Sequence, residues 1–152
     1  MPNDELMRKT CSCGGVMTIH MHTLIYNART KITNVPVYTC RDCARYEPLP
    51  MIKQDLADLI TGMGGQSLDR SRRHYSFADH NEWAGVLKET FAKSVTGGLE
   101  ELELRIRTAI QSRIDLLLDI YRFAADHSDQ EWMEETGRRL SQLTQHSLKS
   151  AK

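Results

Sequence analysis

The sequence lacks long hydrophobic runs and any excess of charge of one sign. No stretch approaches the roughly 18 consecutive apolar residues that a membrane span requires, and the polar first ten residues contain no signal-peptide core. The 20 lysines and arginines are balanced by 20 aspartates and glutamates, so no whole-protein field directs the chain to nucleic acid or acidic lipid. We therefore expect a soluble, cytoplasmic protein without a membrane segment.

Cysteine and proline are absent from every position after Pro50. The four cysteines form two close pairs, Cys11 with Cys13 and Cys40 with Cys43. In a reducing cytoplasm, two close pairs favour a metal site over disulfides. The change in composition after residue 50 predicts two modules of different construction.

The segment between the cysteine pairs predicts a β-hairpin. Polar and apolar residues loosely alternate over residues 16–26, residues 32–39 are rich in Val, Thr and Tyr, and a polar connector separates the two. Pro36 predicts that the second strand has an exposed edge, because proline donates no ladder hydrogen bond.

After residue 50 the apolar spacing predicts helices. A short one covers about 51–60, a polar and basic linker follows over 66–75, and further helices begin near Trp83, at about 99 and near 130. Asp79 and Ser128, each with glutamate three residues later, predict N-caps for two of these helices. The C-terminal module is therefore predicted to be a three-helix bundle or a long helical hairpin.

The cysteine spacing is typical of a zinc ribbon, in which a hairpin joins two turns that each offer two thiolates. The 26 residues between the pairs are enough for two strands and a connection. Four thiolates around a divalent ion leave no open coordination position, so such a site is structural and cannot activate water.

Three other interpretations of the cysteines remain open. They could be ordinary buried residues. Cys40 and Cys43 could form a thioredoxin-like redox pair, which would require a strand before them and a helix directly after. His20 or His22 could replace one cysteine as a metal ligand.

One continuous pattern resembles the YgiT-type zinc finger. It consists of Cys-x-Cys-Gly-Gly, a predicted hairpin and then Asn-Val-Pro-Val-Tyr-Thr-Cys-Arg-Asp-Cys at 34–43. That finger forms the N-terminal domain of the MqsA antitoxin and occurs in many small bacterial proteins. The resemblance covers about residues 9–50 and implies that Cys11, Cys13, Cys40 and Cys43 are zinc ligands. The family's first turn is usually Cys-x-x-Cys, and Ala44 stands where a glycine often follows the last cysteine. No helix-turn-helix is visible after residue 50, so we do not infer DNA binding from this resemblance.

The segment from Ile114 to Leu140 resembles the short IDEAL helical motif. It has an Ile-Asp start, an acidic break near 126–129, and then Trp132 and a terminal leucine. The resemblance points toward protein interaction.

These observations predict an α+β protein with a zinc-ribbon domain (1–50), a short helix and basic linker (51–75) and a helical interaction domain (76–152). No Ser-His-acid order, phosphate loop or paired-histidine motif is present, so we expect no enzymatic activity. We favour a zinc-binding regulatory or adaptor protein whose helical module binds a protein partner or a second copy. The alternative is nucleic-acid binding by basic residues of the hairpin and linker: Arg29, Lys31, Arg41, Arg45, Arg70, Arg72 and Arg73.

Overall fold

The computed structural model describes residues 6–26, 30–64, 73–93 and 98–150. Over these residues the chain forms a curled, mainly antiparallel sheet and four α-helices, which confirms the predicted α+β class. The chain divides into two compact units, Met1–Lys88 and Glu89–Lys152. No helix within the described ranges is long and apolar enough to cross a membrane.

The described part of the first unit contains five strands. They are β1 (Arg8–Thr10), β2 (Val16–Tyr26), β3 (Thr30–Cys40), β4 (Tyr46–Pro48) and β5 (Arg73–Ser76). The predicted hairpin is confirmed, because β2 and β3 pair antiparallel along most of their length. Their register shifts between His22 and Leu24, and such a bulge bends a strand and increases its twist.

Pro36 does not mark an exposed edge, so that prediction is wrong. Strand β3 pairs with β2 on one side and with both β4 and β5 on the other. On the second side β5 pairs as far as Thr33 and β4 pairs from Val37 onward, so Pro36 lies in the interval between them. Its carbonyl accepts the Leu49 N–H at 3.3 Å, and its missing donor interrupts neither ladder.

Part of the predicted basic linker is a strand. Residues Arg73–Ser76 form β5, which runs parallel to β3, with Arg73 opposite Thr30. A segment in register with a sheet is not a linker, so the prediction is wrong for residues 73–75. Arg29, Arg70 and Arg72 lie outside the described residues.

The core of the first unit is built by β3 and by the segments that follow the sheet. Its completely buried apolar side chains are Ile32, Val35, Val37, Leu49, Ile52, Phe77, Ala84 and Leu87. The N-terminal strand is held to this sheet as well, since the Tyr38 hydroxyl donates to the Leu6 carbonyl at 2.8 Å. Strand β3 thus serves as the central element on which the unit is assembled.

Four α-helices lie within the described residues, and all of them follow the main hairpin in chain order. They are α1 (Lys53–Gly64), α2 (Glu82–Ala92), α3 (Gly98–Asp126) and α4 (Gln130–Ser150), and short 3-10 turns occupy Pro50–Ile52 and Phe77–Asp79. The helix predicted at about 99–125 is confirmed by α3.

The two predicted N-caps are wrong, each by one or two positions. Asn81 caps α2, because its Oδ1 accepts the backbone N–H three residues on at 2.9 Å, whereas Asp79 lies in the preceding 3-10 turn. Asp129 caps α4 in the same way at 3.1 Å, and Ser128 has a left-handed φ of 55°. Several polar residues near a helix start can cap it, and the backbone angle of each decides which one does.

Helices α3 and α4 pack against each other as a hairpin joined by three residues. The buried residues of α3 lie within an arc of about 40° at 100° per residue, and they are Ile106, Ile110, Leu117 and Ala124. On α4, Leu143 is completely buried. A Cβ at Gly137 would lie 3.7 Å from the Tyr121 ring, so a small residue stands where the two helices approach.

Candidate metal centre

The first cysteine pair lies in the loop between β1 and β2. The Cys11 N–H donates to the Gly15 carbonyl and the Gly14 N–H donates to the Cys11 carbonyl, both at 2.9 Å. Gly14 has a φ of 95°, a left-handed conformation that glycine adopts without a Cβ penalty. The loop therefore closes tightly and presents both thiols on one side of the sheet's end.

The second pair lies where β3 ends and the chain turns toward β4. The Cys40 N–H donates to the Arg45 carbonyl at 2.9 Å, and the Ala44 N–H donates to the Cys40 carbonyl at 3.1 Å. Ala44 has a φ of 61°, which a non-glycine residue rarely adopts. The glycine that often follows the last cysteine in YgiT-type fingers would suit this angle.

The hairpin register brings the two loops together. Met17 near the start of β2 pairs with Cys40 at the end of β3. All four Sγ atoms lie within 4.8 Å of one another, and the cross-loop pairs Cys11–Cys43 and Cys13–Cys40 are each 3.6 Å apart. All four cysteines are free thiols, Cys11 and Cys40 buried and Cys13 and Cys43 exposed.

These separations match a single tetrahedral ion. Four sulfurs bound at about 2.3 Å with tetrahedral angles lie about 3.8 Å apart, close to the 3.6 Å of the two cross-loop pairs. The cysteine cluster could therefore hold a metal ion with little rearrangement. It offers four sulfur ligands, the donor set preferred by soft or borderline metals.

The crowded thiols have divergent pKa values. The Cys13 backbone N–H donates to the Cys11 sulfur and, with the neighbouring thiols, lowers the pKa of Cys11 to about 7 against the opposing effect of burial. The Gly15 N–H lowers the pKa of Cys13, but bonds to the other three thiols outweigh it and raise that pKa to about 12. A thiol that ionises near neutrality thus lies beside one that keeps its proton, and a bound cation would have to displace that proton.

The two loops also touch outside the sulfurs. The Arg45 guanidinium donates to the Ser12 hydroxyl at 2.6 Å, joining a residue between the first two cysteines to one that follows the last. A Cβ at Gly15 would overlap the Asp42 carboxylate and lie 3.1 Å from the Cys40 sulfur, so a larger residue here requires the Asp42 side chain to move and the Cys40 sulfur to shift. Sequence reasoning missed the Arg45–Ser12 bond because nothing in either residue type indicates it.

The histidines considered as ligands lie apart from the cysteine cluster. The His20 ring is 3.1 Å from the Thr18 hydroxyl, and His22 stacks on Tyr46 with ring centroids 5.8 Å apart. The redox alternative is not favoured either, because Cys43 is followed by a turn and strand β4 instead of the helix that a thioredoxin-like pair requires.

Among the candidate nucleic-acid contacts, Lys31 and Arg41 are exposed in the first unit. Arg45 is exposed as well and bonds to Ser12. These side chains are distributed over opposite ends of β3, so the described basic residues do not form one cluster.

Comparisons of the chain with models of protein families, with curated proteins and with solved structures found no match in any of the three.

Proposed function

We propose that Cys11, Cys13, Cys40 and Cys43 bind one structural zinc ion in a YgiT-type zinc ribbon, and that the chain is a non-enzymatic bacterial regulatory or adaptor protein. The convergence of four sulfur atoms within 4.8 Å carries the proposal. In this view the ion stabilises the sheet, and the helical region supplies the interaction surface.

Zinc is the metal that best suits this donor set. Tetrahedral four-sulfur sites are typical of zinc, with iron as the competitor, and zinc has no redox chemistry of its own. All four positions of a tetrahedral zinc would be filled by protein, which leaves none for water or substrate. This supports a structural role and a protein without catalysis at this centre.

A structural ion has a clear task in this unit. Strands β1 and β4 are only three residues long, and both cysteine loops are adjacent to such a strand. Short strands contribute few ladder hydrogen bonds, so an ion that joins the loops would hold both edges of this end of the sheet.

The helical unit supports the adaptor role. Large apolar side chains are exposed along α3 and at the start of α4, namely Leu116, Leu118, Phe123 and Trp132. Exposed apolar groups concentrated on one pair of helices are typical of a protein-interaction surface.

Metal analysis of the full chain purified without added metal tests the proposal. We expect one zinc per chain, no visible absorption from iron, and four thiols that react with a thiol reagent only after the metal is chelated. A chain that carries no stoichiometric metal after purification from zinc-sufficient cells, with all four thiols reactive, would reject it.

Nucleic-acid binding is the second candidate, and exposed Lys31 and Arg41 are the observation that favours it. A gel-shift titration at low ionic strength, repeated at rising salt, measures it directly. Phosphate contacts would give binding that weakens steeply with salt, and the absence of any shift at low salt would dismiss this candidate.

A further inference from the structure

Helix α3 carries a second apolar repeat besides its buried one. Leu102, Ala109, Leu116 and Phe123 follow each other at intervals of seven residues, and on the helix they form a stripe that drifts by only about 20° per step. Leu116 and Phe123 are each 53% exposed, whereas the buried residues of α3 lie on a different face. Leu102 and Ala109 are half-buried, so the exposed part of the stripe is its C-terminal half. A seven-residue apolar repeat supplies one of the two apolar positions per heptad through which helices pack side by side.

Trp132 extends this stripe onto α4. Its ring meets the Phe123 ring edge-on with centroids 5.8 Å apart, and it is 39% exposed. The exposed apolar surface therefore covers both helices at the end where the hairpin turns.

Two opposite charges border the stripe symmetrically. Arg105 and Asp119 lie seven residues before and seven residues after Ser112, and all three lie within an arc of about 40° beside the apolar stripe. Arg105 pairs through Nε with Glu101 at 3.3 Å, and its guanidinium has further N–H donors. Asp119 makes a long ion pair, 3.7 Å, with Arg122.

We propose that α3 packs antiparallel against α3 of a second copy of this chain, with the two-fold axis near Ser112. This inference rests on the proposed interaction role of the helical unit and names its partner. In that arrangement Arg105 of each copy faces Asp119 of the other.

The stripe is complementary to itself under this symmetry. An axis between Ser112 and Arg113, half a residue from the midpoint of Arg105 and Asp119, places Leu116 of one helix against Ala109 of the other and Phe123 against Leu102. A large side chain then meets a smaller or partly buried one at each contact. A parallel pairing in register would instead place Arg105 on Arg105 and Asp119 on Asp119, which like-charge repulsion disfavours. The zero net charge of the chain adds no general repulsion between two copies.

The apolar part of the interface is tested with Leu116→Gln in the full, metal-loaded chain. Leu104→Gln is the matched control, because Leu104 is 60% exposed on a different face of α3. We expect sedimentation equilibrium to show a dimer whose dissociation constant rises about tenfold or more for L116Q, since each copy loses a buried leucine, and stays unchanged for L104Q.

Charge reversal tests the register and does not depend on core packing. R105E and D119K should each weaken the dimer at low ionic strength by about fivefold, and the double variant R105E/D119K should restore it because the attraction is re-formed with exchanged signs. R107E is the control: Arg107 makes the same kind of ion pair with Glu103 at 3.2 Å, on another face. Circular dichroism verifies the helix in every variant.

A chain that stays monomeric at all concentrations, or a dimer unaffected by both L116Q and the charge reversals, would overturn the inference. So would a monomer whose Leu116 face binds only a different protein. If zinc is present at one per chain in such a monomer, the proposed metal centre survives and the second-copy partner alone is rejected. If zinc is absent but R105E/D119K restores the dimer that each single variant weakens, the second-copy partner is supported and the proposed metal centre alone is rejected.

Discussion

The two units of this chain are stabilised in different ways. In the sheet unit, order around the cysteines depends on a few positions with strict geometric demands: four sulfurs within 4.8 Å, glycine at two sites and a left-handed alanine. In the helical unit the buried side chains are spread along α3 and α4, and no single residue closes the structure. The end of the sheet that carries the cysteines therefore gathers its order at one point, whereas the β3-centred core of the same unit and the helical unit distribute their stabilisation over many buried side chains.

This difference has consequences for how each unit tolerates change. A helix gains its hydrogen bonds locally, so a buried leucine contributes only its own packing. Two loops that bind one metal ion become ordered or disordered together, because the unfolded chain has no preformed metal site and binding is therefore coupled to folding. We therefore expect the order of the two cysteine loops to respond to a few substitutions almost completely and the helical unit to respond gradually.

Cys40→Ser should produce the largest effect. Cys40 is 4% exposed and its sulfur is 3.6 Å from that of Cys13, so the substitution removes one of the four sulfurs of the proposed metal site at a buried position. We expect loss of stoichiometric metal and destabilisation of the sheet unit by at least about 5 kcal/mol. Hydrogen exchange should show faster exchange in β2 and β3 and unchanged exchange in α3 and α4.

Ser12→Ala is the control for this change. It lies in the same loop and removes only the bond that Arg45 donates, for about 1 kcal/mol, with metal retained. If C40S accelerates exchange in α3 and α4 as much as in the sheet, the two units do not respond separately and the contrast between them fails.

Leu117→Ala should have the next largest effect and should act on the other unit. Leu117 is completely buried on α3, and such truncations cost about 2–5 kcal/mol. Leu104→Ala on the same helix, 60% exposed, should change the free energy of unfolding by less than about 1 kcal/mol. Denaturant unfolding measures both, with zinc content determined in parallel. Loss of zinc in L117A would show that packing in the helical unit controls the metal site.

Gly15→Ala should weaken metal binding without removing a ligand. Asp42 is exposed and can move away from the new Cβ, but the Cys40 sulfur 3.1 Å away can move only if the cysteine cluster changes. We expect metal affinity, measured by competition with a chelating dye, to fall about tenfold. Gly62→Ala in α1 is the control. A Cβ there meets nothing within 4 Å, so it should stabilise the helix by up to about 1 kcal/mol; equal metal affinity in the two variants would contradict the steric argument.

The sequence predicts what is local or periodic in this fold. The alternation over 16–26 and the apolar spacing over 99–125 correspond to β2 and α3 within a residue of their ends. The cysteine spacing likewise predicts one cluster, and the structure brings all four sulfurs together.

What the sequence does not reveal is pairing at long range. Strand β5 is a short, basic segment whose partner β3 lies some forty residues earlier, so neither composition nor periodicity distinguishes it from a linker. The prediction that Pro36 marks an exposed edge fails for the same reason, because the interval between β4 and β5 exists only once both have paired with β3. Which of two nearby polar residues caps a helix is likewise decided by backbone angles that the folded chain imposes.

Ala44→Gly should have the smallest effect, and it should stabilise the sheet unit. Ala44 has a φ of 61°, where a non-glycine residue is disfavoured by roughly 1–2 kcal/mol. Glycine removes that strain but loses more backbone entropy on folding, so the net gain should be about 0.5–1 kcal/mol. Thermal unfolding of the metal-loaded chain, followed at the sheet unit, measures it.

Asn34→Gly is the control that tests whether the gain comes from strain at Ala44, in the loop that carries Cys40 and Cys43. Asn34 has nearly the same φ, 59°, but asparagine tolerates that region and its Nδ2 donates to the Ser76 hydroxyl at 2.8 Å. Its replacement should therefore destabilise the unit by about 1 kcal/mol. If both glycine variants shift the unfolding temperature in the same direction, the strain at Ala44 does not limit the stability of the sheet unit. Opposite shifts would locate that strain beside the last cysteine, where a single ion would hold the loops together.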